Sequence, residues 1–173
     1  NFPMQTASNL RKQNIAIAEP LIVATTGWTT DELQAAIREK NIQETFSIVT
    51  LLIGVNNQYR GRTVENYADE FAQLLTQAIY FANGHSNKVF VLSIPDWGAT
   101  PFAEGKDRTQ IAKEIDDYNA AAQKITTSHR CHFLNITDST RANGMKLDFL
   151  APDHLHPSAK EYQIWAERLS HQM

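Results

Sequence analysis

The stretch Phe46-Ser47-Ile48-Val49-Thr50-Leu51-Leu52-Ile53-Gly54 decides the fold. From Ile48 to Ile53 it is almost continuously apolar, where a strand with one wet face would alternate. Such a run fits a strand buried on both faces, the situation of a parallel sheet. A helical stretch follows over Val64 to Asn83, with Tyr67, Phe71, Leu74, Leu75 and Ile79 at three- and four-residue intervals. Working outward, the same succession recurs. Strand-like runs stand at Ile15 to Ala24, Lys88 to Pro95 and His132 to Asp138, and Asp107 to Ser128 carries a second helical stripe through Ile111, Ile115, Tyr118, Ala122 and Ile125. Strands alternating with helices imply crossover connections, so the expected fold is α/β: a three-layer α/β/α sandwich around a mostly parallel central sheet. The 173 residues, 42% of them hydrophobic, suit a single domain over 1–173.

The net charge of −3 and the scattered Lys and Arg residues give no basic stripe, so nucleic acid is not an expected partner. No apolar run approaches the length needed to cross a bilayer, and no signal-peptide pattern opens the chain. The chain reads as soluble, with the cytoplasm favoured as its compartment. Cys131 is the only cysteine; it excludes an internal disulfide and reads as a small buried hydrophobe. Asn135-Ile136-Thr137 has the glycosylation pattern, but it reads as a chance match within a buried strand.

Two helix starts are marked by a hydroxyl residue followed three positions later by Glu: Thr29 with Glu32, and Ser158 with Glu161. Just before the second lies Asp153-His154-Leu155-His156-Pro157. A carboxylate held on one ring nitrogen sets the tautomer of an imidazole and frees the other nitrogen to take a hydroxyl proton. Asp153 and His156 are therefore candidates for orienter and base. Gly27, Asn56 and the Asp153/His156 pair all follow strand or loop segments, and in an open parallel sheet ligands gather at the carboxyl edge of the strands. Trp97 and Phe102, in the irregular loop between Pro95 and Gly105, are candidates for a substrate pocket.

Three blocks stand in order: Thr26-Gly27-Trp28-Thr29, Gly54-Val55-Asn56-Asn57 and Asp153-x-x-His156-Pro157. Together they resemble the SGNH (GDSL-like) hydrolases, a family of esterases, lipases and lysophospholipases. The resemblance spans nearly the whole chain. It implies a serine-type ester hydrolase acting on small or medium acyl esters, with Gly27 (through its backbone N–H) and Asn56 (through its amide) forming the oxyanion hole. Asp153 would orient His156, and His156 would move the proton. No metal and no organic cofactor is called for; the partner is a small ester substrate.

The chain departs from the family twice. Asn57 stands where the family often has Asp, which removes a negative charge. The opening block, a strand ending in Gly-Asp-Ser, is absent from residues 1–26, where the only serine is Ser8 inside the helical pattern Thr6 to Leu10. In the family that strand lies inside the sheet, and its loss would leave strand edges unpaired. The expectation is a longer polypeptide, with the first strand and the nucleophile upstream of residue 1. Two alternatives stay open: a catalytically inactive binding protein of the same fold, and a metal-dependent hydrolase built on His154 and His156.

Overall fold

A computed structural model describes residues 1–173. In chain order the elements are α1 (Phe2–Lys12), α2 (Thr30–Lys40), β1 (Val49–Leu51), α3 (Val55–Tyr59), α4 (Val64–Phe81), β2 (Val89–Leu92), α5 (Arg108–Ser128), β3 (His132–Leu134), α6 (Thr137–Asn143) and α7 (Ala159–Ser170). Short 3-10 turns punctuate the loops at 86–88, 97–99, 101–103 and 147–149. The chain divides into two units, one of Val23–Ile94 with Lys113–Asn135, the other of Asn1–Ile22, Pro95–Ala112 and Ile136–Met173.

The first of these units holds the sheet. Its order is β1-β2-β3 and both pairings are parallel, with Val49 opposite Val89 and Phe90 opposite His132. All four residues of β2 are buried, as a central strand covered on both faces requires. Helix α4 begins at the cap Thr63, whose side chain accepts from the Asn66 N–H, and it packs on β1 and α2. Its buried face carries Tyr67, Phe71, Leu74, Leu75 and Ala78. Each such large side chain contributes about 1.5–3 kcal/mol when fully buried. Tyr67 stacks on Tyr118 of α5 at 4.6 Å, and its hydroxyl donates to the Ile53 carbonyl over 3.2 Å. Gly54 is required twice over. Its φ is +129°, and a Cβ there would lie 2.5 Å from the Tyr67 ring. The chain therefore turns sharply from β1 into α3, which begins next to Asn56.

The α/β class and the parallel sheet are as expected, but several elements differ. The run Ile15 to Ala24 forms no strand. It contains Pro20, and Ile15, Leu21 and Ile22 are exposed. Strand geometry needs a hydrogen-bonding neighbour, and neither this run nor the outer edge of β1 has one. The run from Phe46 pairs only over Val49–Leu51. The run from His132 ends as a strand at Leu134, and α6 starts at Thr137, so Asn135 is exposed between the two elements rather than buried in a strand.

In the other unit α1 packs along α7. Leu10, Trp165 and Leu169 are fully buried there, and the Phe2 ring lies 6.3 Å from that of Trp165. The expected reciprocal cap at Ser158 is only half formed. Ser158 accepts from the Lys160 N–H, but Glu161 turns inward, where its carboxylate accepts from Ser139 Oγ (2.6 Å), Asn143 Nδ2 (3.0 Å) and Trp165 Nε1 (2.8 Å). Three buried neutral donors outcompete one cap N–H.

Candidate active site

The Asp153/His156 turn is built by backbone before any side chain acts. Leu150 and Pro157 form an isolated antiparallel bridge, the Ala151 N–H donates to the His156 carbonyl at 2.7 Å, and the Ser158 N–H to the Phe149 carbonyl at 2.9 Å. The loop so closed takes His154 into the left-handed region, φ +58°. Inside it, Asp153 Oδ1 accepts from the backbone N–H groups of Leu155 (3.0 Å) and His156 (2.9 Å), and Oδ2 accepts from His156 Nδ1 at 2.6 Å. The bond from the imidazole and then the two backbone bonds hold the Asp153 carboxyl at about 2, well below the usual carboxylate range. With Nδ1 donating to a carboxylate, His156 carries its proton there and leaves Nε2 as an acceptor with no partner in the protein. Both side chains are about half exposed. No three His, Cys, Asp or Glu side chains gather as a metal cluster would require.

Trp97 and Phe102 lie in the same unit as this turn. Their rings meet edge to face at 6.1 Å, and the Phe102 N–H reaches the His154 carbonyl at 3.4 Å. Asp96, buried, anchors their loop: its carboxylate accepts from the Gly98 N–H at 2.9 Å and from Arg141 Nε at 2.8 Å.

Gly27 and Asn56 lie together in the sheet-bearing unit, joined by contacts between the α2 entrance and the α3 turn. Gly27 has φ +92° with open space where a Cβ would project, so conformation rather than room calls for glycine. Its N–H has no partner. Asn56 Nδ2 donates one hydrogen to the Trp28 carbonyl at 3.1 Å, which orients the amide and leaves its second N–H available. Thr29 and Glu32 form the expected reciprocal cap at the start of α2.

Three neighbours acquire roles that the sequence did not announce. Asn57, fully buried, accepts from the Thr30 N–H at 3.1 Å and donates to Thr30 Oγ1 at 2.6 Å. The Thr30 hydroxyl in turn donates to Glu70, which pairs with Arg62 at 3.5 Å. Arg62 also holds Asp31 at 2.6 Å and, with Thr29, brings that carboxyl to about 2. Arg60 bridges the Gly27 carbonyl (2.7 Å) and Glu32 (3.1 Å). Arg60 and Arg62 are thus engaged in cross-links. Nothing local in the sequence pairs positions 60 and 27.

The GDSL-like Lipase/Acylhydrolase family matches residues 2–164. The chain belongs to that family. Its class is that of the carboxylic ester hydrolases. No curated protein matches the chain. Among solved structures it is similar to the lipase/acylhydrolase from Enterococcus faecalis, with 18% identity, a TM-score of 0.66 and coverage of 97% of this chain and 82% of the other. An acetyl xylan esterase, AlAXEase, gives 15% identity, TM-score 0.72 and coverage of 97% and 88%. TesA gives 14% identity, TM-score 0.75 and coverage of 99% and 86%. At these identities the likeness establishes a shared fold. No helix of this GDSL-like chain is long and apolar enough to cross a membrane.

Proposed function

We propose that the native protein is a serine esterase in which His156 is the general base and then the general acid, Asp153 holds it, and Gly27 N–H with the Asn56 amide stabilises the oxyanion. The observation that carries this reading is the 2.6 Å bond from His156 Nδ1 to a carboxylate fixed by two backbone amides, with Nε2 left open. The nucleophile is a serine hydroxyl on a strand upstream of residue 1, for which the unpaired edge of β1 offers a parallel neighbour. The domain thus comprises residues 1–173 and that strand.

His156 Nε2 takes the serine proton as Oγ attacks the ester carbonyl. The negative charge gained by the carbonyl oxygen is the charge that the two donors stabilise, and His156 returns the proton to the departing alcohol. Water then repeats the sequence on the acyl-enzyme and releases the acid. Losing one oxyanion donor costs about 2.7–4 kcal/mol of transition-state stabilisation. Small or medium acyl esters are the substrates, with Trp97 and Phe102 on the acyl or alcohol side. Acetylated sugars and lysophospholipids fall within this class.

The test is hydrolysis of p-nitrophenyl acetate by the native gene product and its His156→Ala variant. Turnover is expected to fall by a factor of roughly 10³ or more while the fold persists. Undiminished turnover removes His156 from the mechanism. A second reading, an inactive binding protein of the same fold, is favoured by one fact: the only serine in residues 1–26 is Ser8, an exposed residue within α1. Failure of the native product to react with a fluorophosphonate probe would select it.

A further inference from the structure

Arg60 stands one turn beyond Asn56, at the C-terminal end of α3, and its guanidinium reaches across to the entrance of α2. One nitrogen, Nη2, donates to the Gly27 carbonyl at 2.7 Å, and the other, Nη1, donates to Glu32 Oε1 at 3.1 Å. The other oxygen of Glu32 accepts from the Thr29 N–H at 2.8 Å. The five positions Gly27, Trp28, Thr29, Glu32 and Arg60 therefore close a ring through covalent and hydrogen bonds. Asn56 Nδ2, on the Trp28 carbonyl, adds a cross-brace within it. Two consecutive carbonyls of the glycine turn are thus tied to side chains of one short helical turn.

The ring matters because Gly27 cannot hold its own conformation. It has φ +92° and nothing within 4 Å of its Cβ position, so no packing on that side restrains rotation of the adjoining peptide planes. The turn itself contributes only a 3.3 Å bond from the Trp28 N–H to the Thr25 carbonyl. The charge-assisted bond from Arg60 is the strongest contact the Gly27 peptide makes, and a planar fork that engages two acceptors sets direction as well as distance.

We infer that Arg60 is a positioning residue for the oxyanion hole: it pins the Gly27 carbonyl so that the Gly27 N–H and the Asn56 amide are held as a fixed pair of donors. This rests on the reading of Gly27 and Asn56 proposed above. Arg60 touches no reacting atom; it acts through the turn. Misplacing a donor by a fraction of an ångström weakens the transition state more than the ground state, so the effect falls on kcat.

The experiment compares the native gene product with its Arg60→Met and Arg60→Lys variants on p-nitrophenyl acetate. For Arg60→Met, kcat is expected to drop by about 10- to 100-fold with KM changed less than about threefold. Arg60→Lys, which keeps the charge but loses the planar fork, should fall between the two. Because the guanidinium is half exposed, added ethylguanidinium is expected to restore part of the Arg60→Met activity. The melting temperature should stay within about 4 °C of the parent, since an exposed ion pair adds little to stability. Amide exchange at Trp28, whose N–H bonds to the Thr25 carbonyl, should quicken in Arg60→Met. An active parent whose Arg60→Met variant keeps its kcat, or loses activity without any rescue by ethylguanidinium, overturns the inference alone. An inactive parent overturns instead the esterase reading beneath it.

Discussion

Asp153 receives three hydrogen bonds inside a six-residue loop, and that concentration of donors keeps it ionised far into acid. Because its folded pKa lies below the unfolded value, its contribution to the turn is fully present above the ordinary carboxylate range. That contribution is lost only as pH falls through about 2. A carboxyl carbon resonance of Asp153 followed by NMR is expected to titrate with a midpoint near 2, and a midpoint at the model-peptide value would show that the three bonds do not persist in solution. Asn57 makes the opposite point about a residue that the sequence left ambiguous. Its amide donates to a hydroxyl whose own proton is committed to Glu70, so an aspartate there would set two carboxylates on one proton. Asn57→Asp is expected to cost about 1–3 kcal/mol in urea denaturation. Burial beside Glu70 would raise the new carboxyl above its unfolded pKa, so the loss should grow as pH rises through the carboxylate range. Adding Glu70→Gln should recover most of it. The spacing Asp153-x-x-His156 was legible in sequence because one loop supplies both partners. Asn57 and Arg60 were not, since their partners lie 27 and 33 positions away.

At the scale of elements, what the sequence conveyed depended on whether the deciding interactions were local. The α4 and α5 stripes name buried positions because helical hydrogen bonds close within the segment, and Tyr67, Phe71, Ile115 and Tyr118 are in the core as read. The run Ile15 to Ala24 has a strand's composition but no neighbour to pair with, and composition cannot supply one. The loop carrying Trp97 and Phe102 looked irregular and is nonetheless tightly anchored. Arg141 donates Nε to Asp96 and Nη2 to the Ala112 carbonyl at 3.1 Å, and the Asp96 N–H donates to Thr140 Oγ1. Truncating Arg141 to Ala would strip a buried carboxylate of its charged partner, at an expected cost of about 1–3 kcal/mol by urea denaturation. Faster proteolytic cleavage between residues 97 and 105 should accompany the loss. Gly144→Ala tests the same anchorage sterically, since the added Cβ would lie 2.5 Å from the Ala99 carbonyl oxygen and 2.8 Å from that of Thr140. Both neighbours are backbone and cannot step aside as a side chain could.

For the molecule as a whole, the parallel order β1-β2-β3 leaves two strands at the sheet margins, and they differ. β3 begins with the exposed His132, whose ring stacks on Phe90 at 4.6 Å, whereas β1 is bordered by the partly buried apolar residues Ile48, Leu52 and Ile53. An apolar edge with free N–H and C=O groups is a template for another strand. Residues 1–173 alone are therefore expected to show rapid amide exchange at the outward N–H groups of Val49–Leu51 and slow exchange throughout β2, whose N–H groups are enclosed by two neighbours. In the native gene product, the proposed serine-bearing strand pairs along β1 and should slow exchange there to the level of β2. Hydrogen-exchange mass spectrometry on both polypeptides makes the comparison. Equal exchange at Val49–Leu51 in the two would mean that nothing upstream occupies that edge, and the nucleophile of the proposed esterase would then have no place in this sheet.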